Sequence, residues 1–260
     1  IGPDLCLARL GIRPVYLSSA GEGHWLDGLQ LQIAVNSLAG QEVPGTMAAV
    51  LGLPGDEVAR VCAEVSANTG VVVPANHNSE GQVVISGEVE AVHAAEEPLK
   101  AAGARRFALL NVSGAFHSEL LVSASRGMES YLSGIAIEKP QCLFVSNVTG
   151  GAIDDPAQIR RRLVEQIVSP VRWVECMKAL VNRRASCFIE VGPGNVLRGL
   201  MRKIEPGART LSAGRLDEIE KLPRSAWRKI ELDVPTRKYR WPRVYEQQVT
   251  LQGRTFRQLY

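Results

Sequence analysis

Thr46-Met47-Ala48-Ala49-Val50-Leu51-Gly52-Leu53, then Asp56 to Val65, then Val71-Val72-Val73-Pro74, is the stretch on which the fold turns. The first run is apolar and strand-like, the second repeats apolar residues at helical spacing, and the third is a β-branched run ended by proline. Turn residues Asn76 to Gly81 follow, then a strand from Gln82 to Ser86, a helix from Val89 to Ala102 closed by Gly103, and a strand from Arg106 to Val112. The order βαββαβ predicts a ferredoxin-like unit over residues 46–111. Asp56 and Glu57 suit the first turn of its first helix, where carboxylates meet the positive end of the helix dipole.

Beyond this unit short apolar strands alternate with helices. Helices are expected over Glu119–Leu132, Pro156–Ile167, Pro170–Arg183 and Asn195–Ile204, with strands at Cys142–Ser146, Cys187–Val191 and Arg209–Ser212. Upstream, a helix Leu5–Leu10 and a strand Pro14–Leu17 fit the same buried parallel sheet. The expectation is an α/β chain in which residues 1–45 and 112–212 form a large subdomain and 46–111 are inserted into it. Residues 213–260 read as a basic tail or linker, with the Arg and Lys excess concentrated there.

Composition narrows the function classes. The 260 residues, 45% hydrophobic and 22% charged, can bury one large core or two unequal ones. No apolar run reaches the ~20 residues that span a bilayer, and the start lacks a signal-like segment. A net charge of +3 does not call for nucleic acid, and the basic tail has no stacking motif beside it. Five scattered cysteines, with no Cys-x-x-Cys pair, argue for free thiols in a reducing cytoplasm and against structural zinc. The absence of an initiator Met suggests a fragment or excised domain.

His117, in Asn111-Val112-Ser113-Gly114-Ala115-Phe116-His117-Ser118 after the last strand of the unit, is the candidate base. An imidazole at such a turn accepts a hydroxyl proton near neutral pH if a second group fixes its tautomer and a serine lies within reach. A structural histidine capping the next helix is the alternative. His77 and His93 read as structural or exposed, and neither has metal-ligand spacing. Gly192-Pro193-Gly194 before a helix reads as a tight turn or an anion-binding loop.

These segments resemble the malonyl-CoA:acyl-carrier-protein transacylases and the acyltransferase domains of polyketide synthases. The resemblance covers about residues 45–212. It is carried by Gly45-Thr46-Met47, Asn76-His77-Asn78, Gly81-Gln82-Val83-Val84-Ile85-Ser86-Gly87, the His117 segment, Val145-Ser146-Asn147-Val148-Thr149, Leu163-Val164-Glu165-Gln166, Ser169-Pro170-Val171-Arg172-Trp173 and Glu190-Val191-Gly192-Pro193-Gly194. It implies an α/β-hydrolase-like parallel sheet and a two-step transfer: a serine takes malonyl from coenzyme A and hands it to the phosphopantetheine thiol of an acyl carrier protein. No bound cofactor or metal is implied. Malonyl-CoA and the carrier protein are the expected partners, in a cytoplasmic monomer or a domain of a larger synthase.

By residue match His117 is the base, and the backbone carbonyl of Gln166 orients its imidazole where a triad would use a carboxylate. A helix-surface role is the other reading of Gln166. Asn76, Asn78 and Gln82 fall where amides would meet the pantetheine or acyl group, although Asn and Gly also form turns. The nucleophile elbow of the family, G-x-S-x-G, does not occur. Ser18-Ser19-Ala20-Gly21-Glu22 keeps the second half of it, which makes Ser19 the candidate nucleophile. Gly23-His24-Trp25 keeps the first half, with an indole that cannot form an ester.

The family's carboxylate-binding arginine also has no counterpart among Val35, Asn36 and Ser37. Two further readings therefore stand beside acyl transfer. One is an acyl hydrolase of the same fold. The other is a non-catalytic fragment that only docks a carrier protein.

Overall fold

The computed structural model describes residues 44–112, 114–140, 143–185, 187–191, 194–222, 246–251 and 254–259. The segments Leu5–Leu10 and Pro14–Leu17, and the residues Ser18, Ser19, Trp25 and Val35 to Ser37, lie outside these, as do Ser113, Gly192 and Pro193.

Strand β1 (Gly45–Leu51) alternates its side chains between two apolar environments. Ala48 and Val50 face helix α1 (Gly55–Ser66), whose Val58, Val61, Cys62 and Val65 repeat at helical spacing and are all buried. Met47 points to the other side. Strand β2 (Val72–Ser79) and strand β3 (Gln82–Glu88) form a hairpin, and strand β4 (Arg106–Leu109) follows helices α2 (Val89–Ala94) and α3 (Glu96–Ala101). The sheet order is β2-β3-β1-β4 with every pairing antiparallel.

Three local expectations change. Asn76 and Asn78 lie in β2 rather than in a turn; the reversal is confined to Glu80 and Gly81, and register shifts between Pro74 and Asn76 and between His77 and Ser79 carry the strand to its end. The helix expected over 89–102 is two short ones, because Pro98 has no N–H for the Ala94 carbonyl and its ring crowds that carbonyl. Strand β4 stops at Leu109, opposite Ala48, and the chain then leaves the sheet toward His117.

Downstream segments cover the face of the sheet away from α1. Met47, Ala75 and Val84 pack with Leu110 and Phe116. A 3-10 turn (Glu119–Leu121) leads into helix α4 (Val122–Ser133). Strand β5 (Phe144–Val145), within the strand expected over Cys142–Ser146, pairs with an unexpected strand β6 (Ala152–Ile153) in a short antiparallel ribbon. Asp155 caps helix α5 (Pro156–Glu165) by accepting from the Ala157 and Gln158 N–H groups at 3.3 and 3.2 Å, with Pro156 at the first helical position.

Helix α6 (Trp173–Val181) starts three residues later than expected, and its Trp173, Cys176, Met177 and Leu180 form a second core with Val145, Leu200 and Met201. Strand β7 (Cys187–Val191) and strand β8 (Arg209–Ala213) pair in parallel across helix α7 (Val196–Ile204), and helix α8 (Leu216–Glu220) comes next. Strands β9 (Glu246–Leu251) and β10 (Arg254–Leu259) form an antiparallel hairpin in a separate compact unit, within the stretch expected to be a tail.

Cys62, Cys176 and Cys187 are free thiols, and burial pushes the Cys62 thiol up to about 12, which leaves it inert. No helix among the described residues is long and apolar enough to cross a membrane.

Candidate active site

Chain geometry explains why an acceptor waits for His117. The last carbonyls of a helix have no partner within it. Gln166 follows α5, and the residue four positions on, whose N–H would continue the ladder, is Pro170. The Gln166 carbonyl is therefore available, and His117 Nδ1 lies 2.8 Å from it. Since a carbonyl oxygen only accepts, Nδ1 carries the hydrogen and Nε2 is the basic nitrogen.

The backbone of His117 is itself unusual. Its φ of 61° is left-handed, a conformation that costs a non-glycine residue about 1–3 kcal/mol. Neighbours hold it there. Ser118, buried, donates its hydroxyl to the Ala115 carbonyl at 2.6 Å, which closes the turn around the histidine. Gly45 meets the same loop: a Cβ on it would sit 2.6 Å from the Ala115 Cβ, so only glycine lets β1 approach so closely. Burial holds the imidazole below its usual range, opposed in part by the Gln166 and Ser169 backbone groups, which favour the protonated ring.

The loop after β5 stands behind this pair. Asn147, 8% exposed, donates its side-chain amide to Gln166 Oε1 at 3.2 Å and accepts on its carbonyl from the Arg172 N–H at 3.0 Å. Val171, next to it, is bonded to β2 on both sides: its N–H donates to the Ala75 carbonyl at 2.8 Å, and the His77 N–H donates to the Val171 carbonyl at 2.9 Å. Asn147 falls within the segment Val145–Thr149, whose local pattern assigns it no role. A polar residue at the end of an apolar strand was the available signal.

The expected substrate amides are spread along the sheet. Asn76, half-buried in β2, bridges Val171, and Asn78 lies two residues farther along. Gln82 sits at the opposite end of β3, across from Leu51, roughly 20 Å along the strand from the Gly45 contact with Ala115. Its Oε1 accepts from Lys203 Nζ at 3.0 Å. That end opens into a cleft of about 470 Å³ lined by Gly52, Ser79, Gly81, Arg105, Arg106 and Lys203. It lies away from the imidazole. His93 is exposed, and the His77 ring lies against Gly55, 3.3 Å from where a Cβ there would sit.

The Glu190 carboxylate accepts from the Leu197 and Arg198 N–H groups at 3.1 and 2.9 Å, so amides at the start of α7 that an anion would need are already used. Among the described residues no group of His, Cys, Asp or Glu is arranged to hold a metal.

Comparison with known protein families matches residues 34–218 to the Acyl transferase domain. The chain belongs to that family. It is similar to the malonyl CoA-acyl carrier protein transacylase of Bacillus subtilis (strain 168), 37% identical over 176 residues that make up 68% of this chain and 56% of that protein. Among solved structures it resembles the acyl-carrier-protein S-malonyltransferase of Burkholderia pseudomallei 1710b, with a TM-score of 0.69 and 39% identity over 75% of this chain and 64% of that one. It also resembles a malonyl-transacylase solved in complex with its type II polyketide acyl-carrier protein, with a TM-score of 0.71 and 34% identity over 75% of this chain and 63% of the other. The chain thus spans a little over half the length of the curated transacylase.

Proposed function

We propose that this chain performs acyl transfer of the malonyl-CoA:carrier-protein type, in fatty-acid or polyketide synthesis and in the cytoplasm. The supporting observation is the 2.8 Å bond from His117 Nδ1 to the Gln166 carbonyl, which leaves Nε2 to take a hydroxyl proton. In the proposed reaction Nε2 accepts the proton of a serine as its oxygen attacks the thioester carbonyl. The C–S bond breaks, the coenzyme A sulfur leaves with the proton returned by the imidazolium, and a seryl ester remains. The carrier's phosphopantetheine thiol then attacks that ester by the same proton path, which restores the serine.

A neutral carbonyl stabilises the imidazolium less than a carboxylate would, and a thioester demands less of it than an amide. Ser19 is the serine assigned to this step, and Asn76, Asn78 and Gln82 are assigned to the pantetheine and acyl groups. The same proposal divides the chain into an α/β-hydrolase-like part, 1–45 and 112–212, and a ferredoxin-like insert, 46–111, with 213–260 as an appended segment.

The test is intact mass after incubation with malonyl-CoA. A gain of one malonyl unit, mapped by peptide analysis to Ser19 and lost in His117→Ala, is expected. A folded sample that gains no acyl unit refutes the transfer. The lack of an arginine among Val35, Asn36 and Ser37 favours a second reading, an acyl hydrolase, which would release free acid from acyl-CoA with no acceptor thiol present.

A further inference from the structure

A glutamine is an unexpected choice at position 166 if only its carbonyl is used, because any residue supplies a carbonyl. The side chain must therefore answer for the residue's identity. Its Oε1 is held by the amide of Asn147, whose own carbonyl is held by the Arg172 N–H at 3.0 Å, beside the segment bonded to β2 through Val171. Asn147 is buried, and a hydrogen bond sheltered from water is costly to break, so this link resists opening.

The loop that presents Asn147 is braced as well. Ser146 donates its N–H to the Gly151 carbonyl and accepts on its own carbonyl from the Gly150 N–H, at 2.9 and 2.8 Å. Gly150 has a φ of 66°, and a Cβ there would sit 2.4 Å from the Glu175 Cβ of α6. The Cys176 thiol donates to the Ser146 carbonyl at 3.4 Å. Asn147 is thus anchored to α6 and to the sheet, whereas Gln166 sits just past the end of α5, where helices fray.

We propose that Asn147 is a positioning residue for His117, acting through the Gln166 side chain to keep the Gln166 carbonyl aimed at Nδ1. It fixes the tautomer at one remove, as outer partners do for metal-bound imidazoles. Its role in turnover rests on the acyl-transfer reading, but its effect on the imidazole does not.

The first measurement is therefore spectroscopic: nitrogen-15 NMR of the His117 ring in the full chain, assigned among the four histidines by the signal absent from His117→Ala. The unsubstituted protein shows the Nδ1–H tautomer. Asn147→Leu and, separately, Gln166→Ala give a mixture of tautomers, the double variant is no worse than either single one, and Asn147→Asp, to which a turned Gln166 amide can donate, restores Nδ1–H. If Asn147→Leu does not fold, the half-buried Gln166→Ala carries the same test.

In acyl transfer the two single variants lower kcat by roughly tenfold to a hundredfold with KM little changed. A pure Nδ1–H ring in both folded variants, or fully additive losses, overturns the proposal. No acylation by the unsubstituted chain would remove the proposed function and leave the NMR outcome to judge this inference alone.

Discussion

His117 combines a left-handed backbone with a ring whose protonation burial disfavours, and both have measurable consequences. In the proposed acyl transfer, only the neutral ring could accept the serine proton. Acylation should therefore rise with pH through a midpoint below the ordinary 6.5. The stability effect has the same sign: the unfolded chain binds the proton more readily, so stability falls as pH drops from the unfolded value through the lower folded one. Urea midpoints across that window should show the decline, and His117→Gln should lessen it.

The bond between His117 and Gln166 was legible through the family resemblance, which names both residues, whereas the part Pro170 plays in freeing the carbonyl needed the true end of α5 at Glu165. The Asn147 contact was not. It joins side chains 19 residues apart through a loop whose path depends on α6, and no local pattern encodes that.

Among the elements, α7 illustrates how a charged side chain replaces the usual cap. Its own preceding residue, Asn195, makes no side-chain cap bond, and Glu190 on the neighbouring strand supplies the acceptor instead. Glu190→Ala should cost about 1–3 kcal/mol in urea unfolding, and Glu190→Gln less, because the amide oxygen can still accept. Elements with strong periodicity, such as α1 and β3, emerged from the sequence almost at their true bounds. Where Pro98 intervened, a single expected helix became two shorter ones, and the left-handed Gly150 leads into a strand at Ala152–Ile153 that no expectation named, because backbone donors and left-handed φ override side-chain pattern.

At the scale of the molecule, one sheet serves two cores. Its inner face is sealed by α1 to α3, and its outer face meets the His117 loop, with Gly45 set against Ala115. Gly45→Ala should force strand and loop apart, lower stability by about 1–3 kcal/mol, and lower the acylation rate by more than that loss of folded protein explains. Denaturation and single-turnover acylation, measured together, separate the two effects.

The pair of amide bonds at Val171 gives this seam a further meaning for anyone recombining the chain with its relatives. Residues 45–109 look like a module that could be exchanged as a cassette, yet their second strand is stitched to a segment about 90 positions downstream. A chimera that imports the sheet without residues 169–172 of the same parent inherits a mismatched graft junction, and the histidine is where that mismatch will surface first.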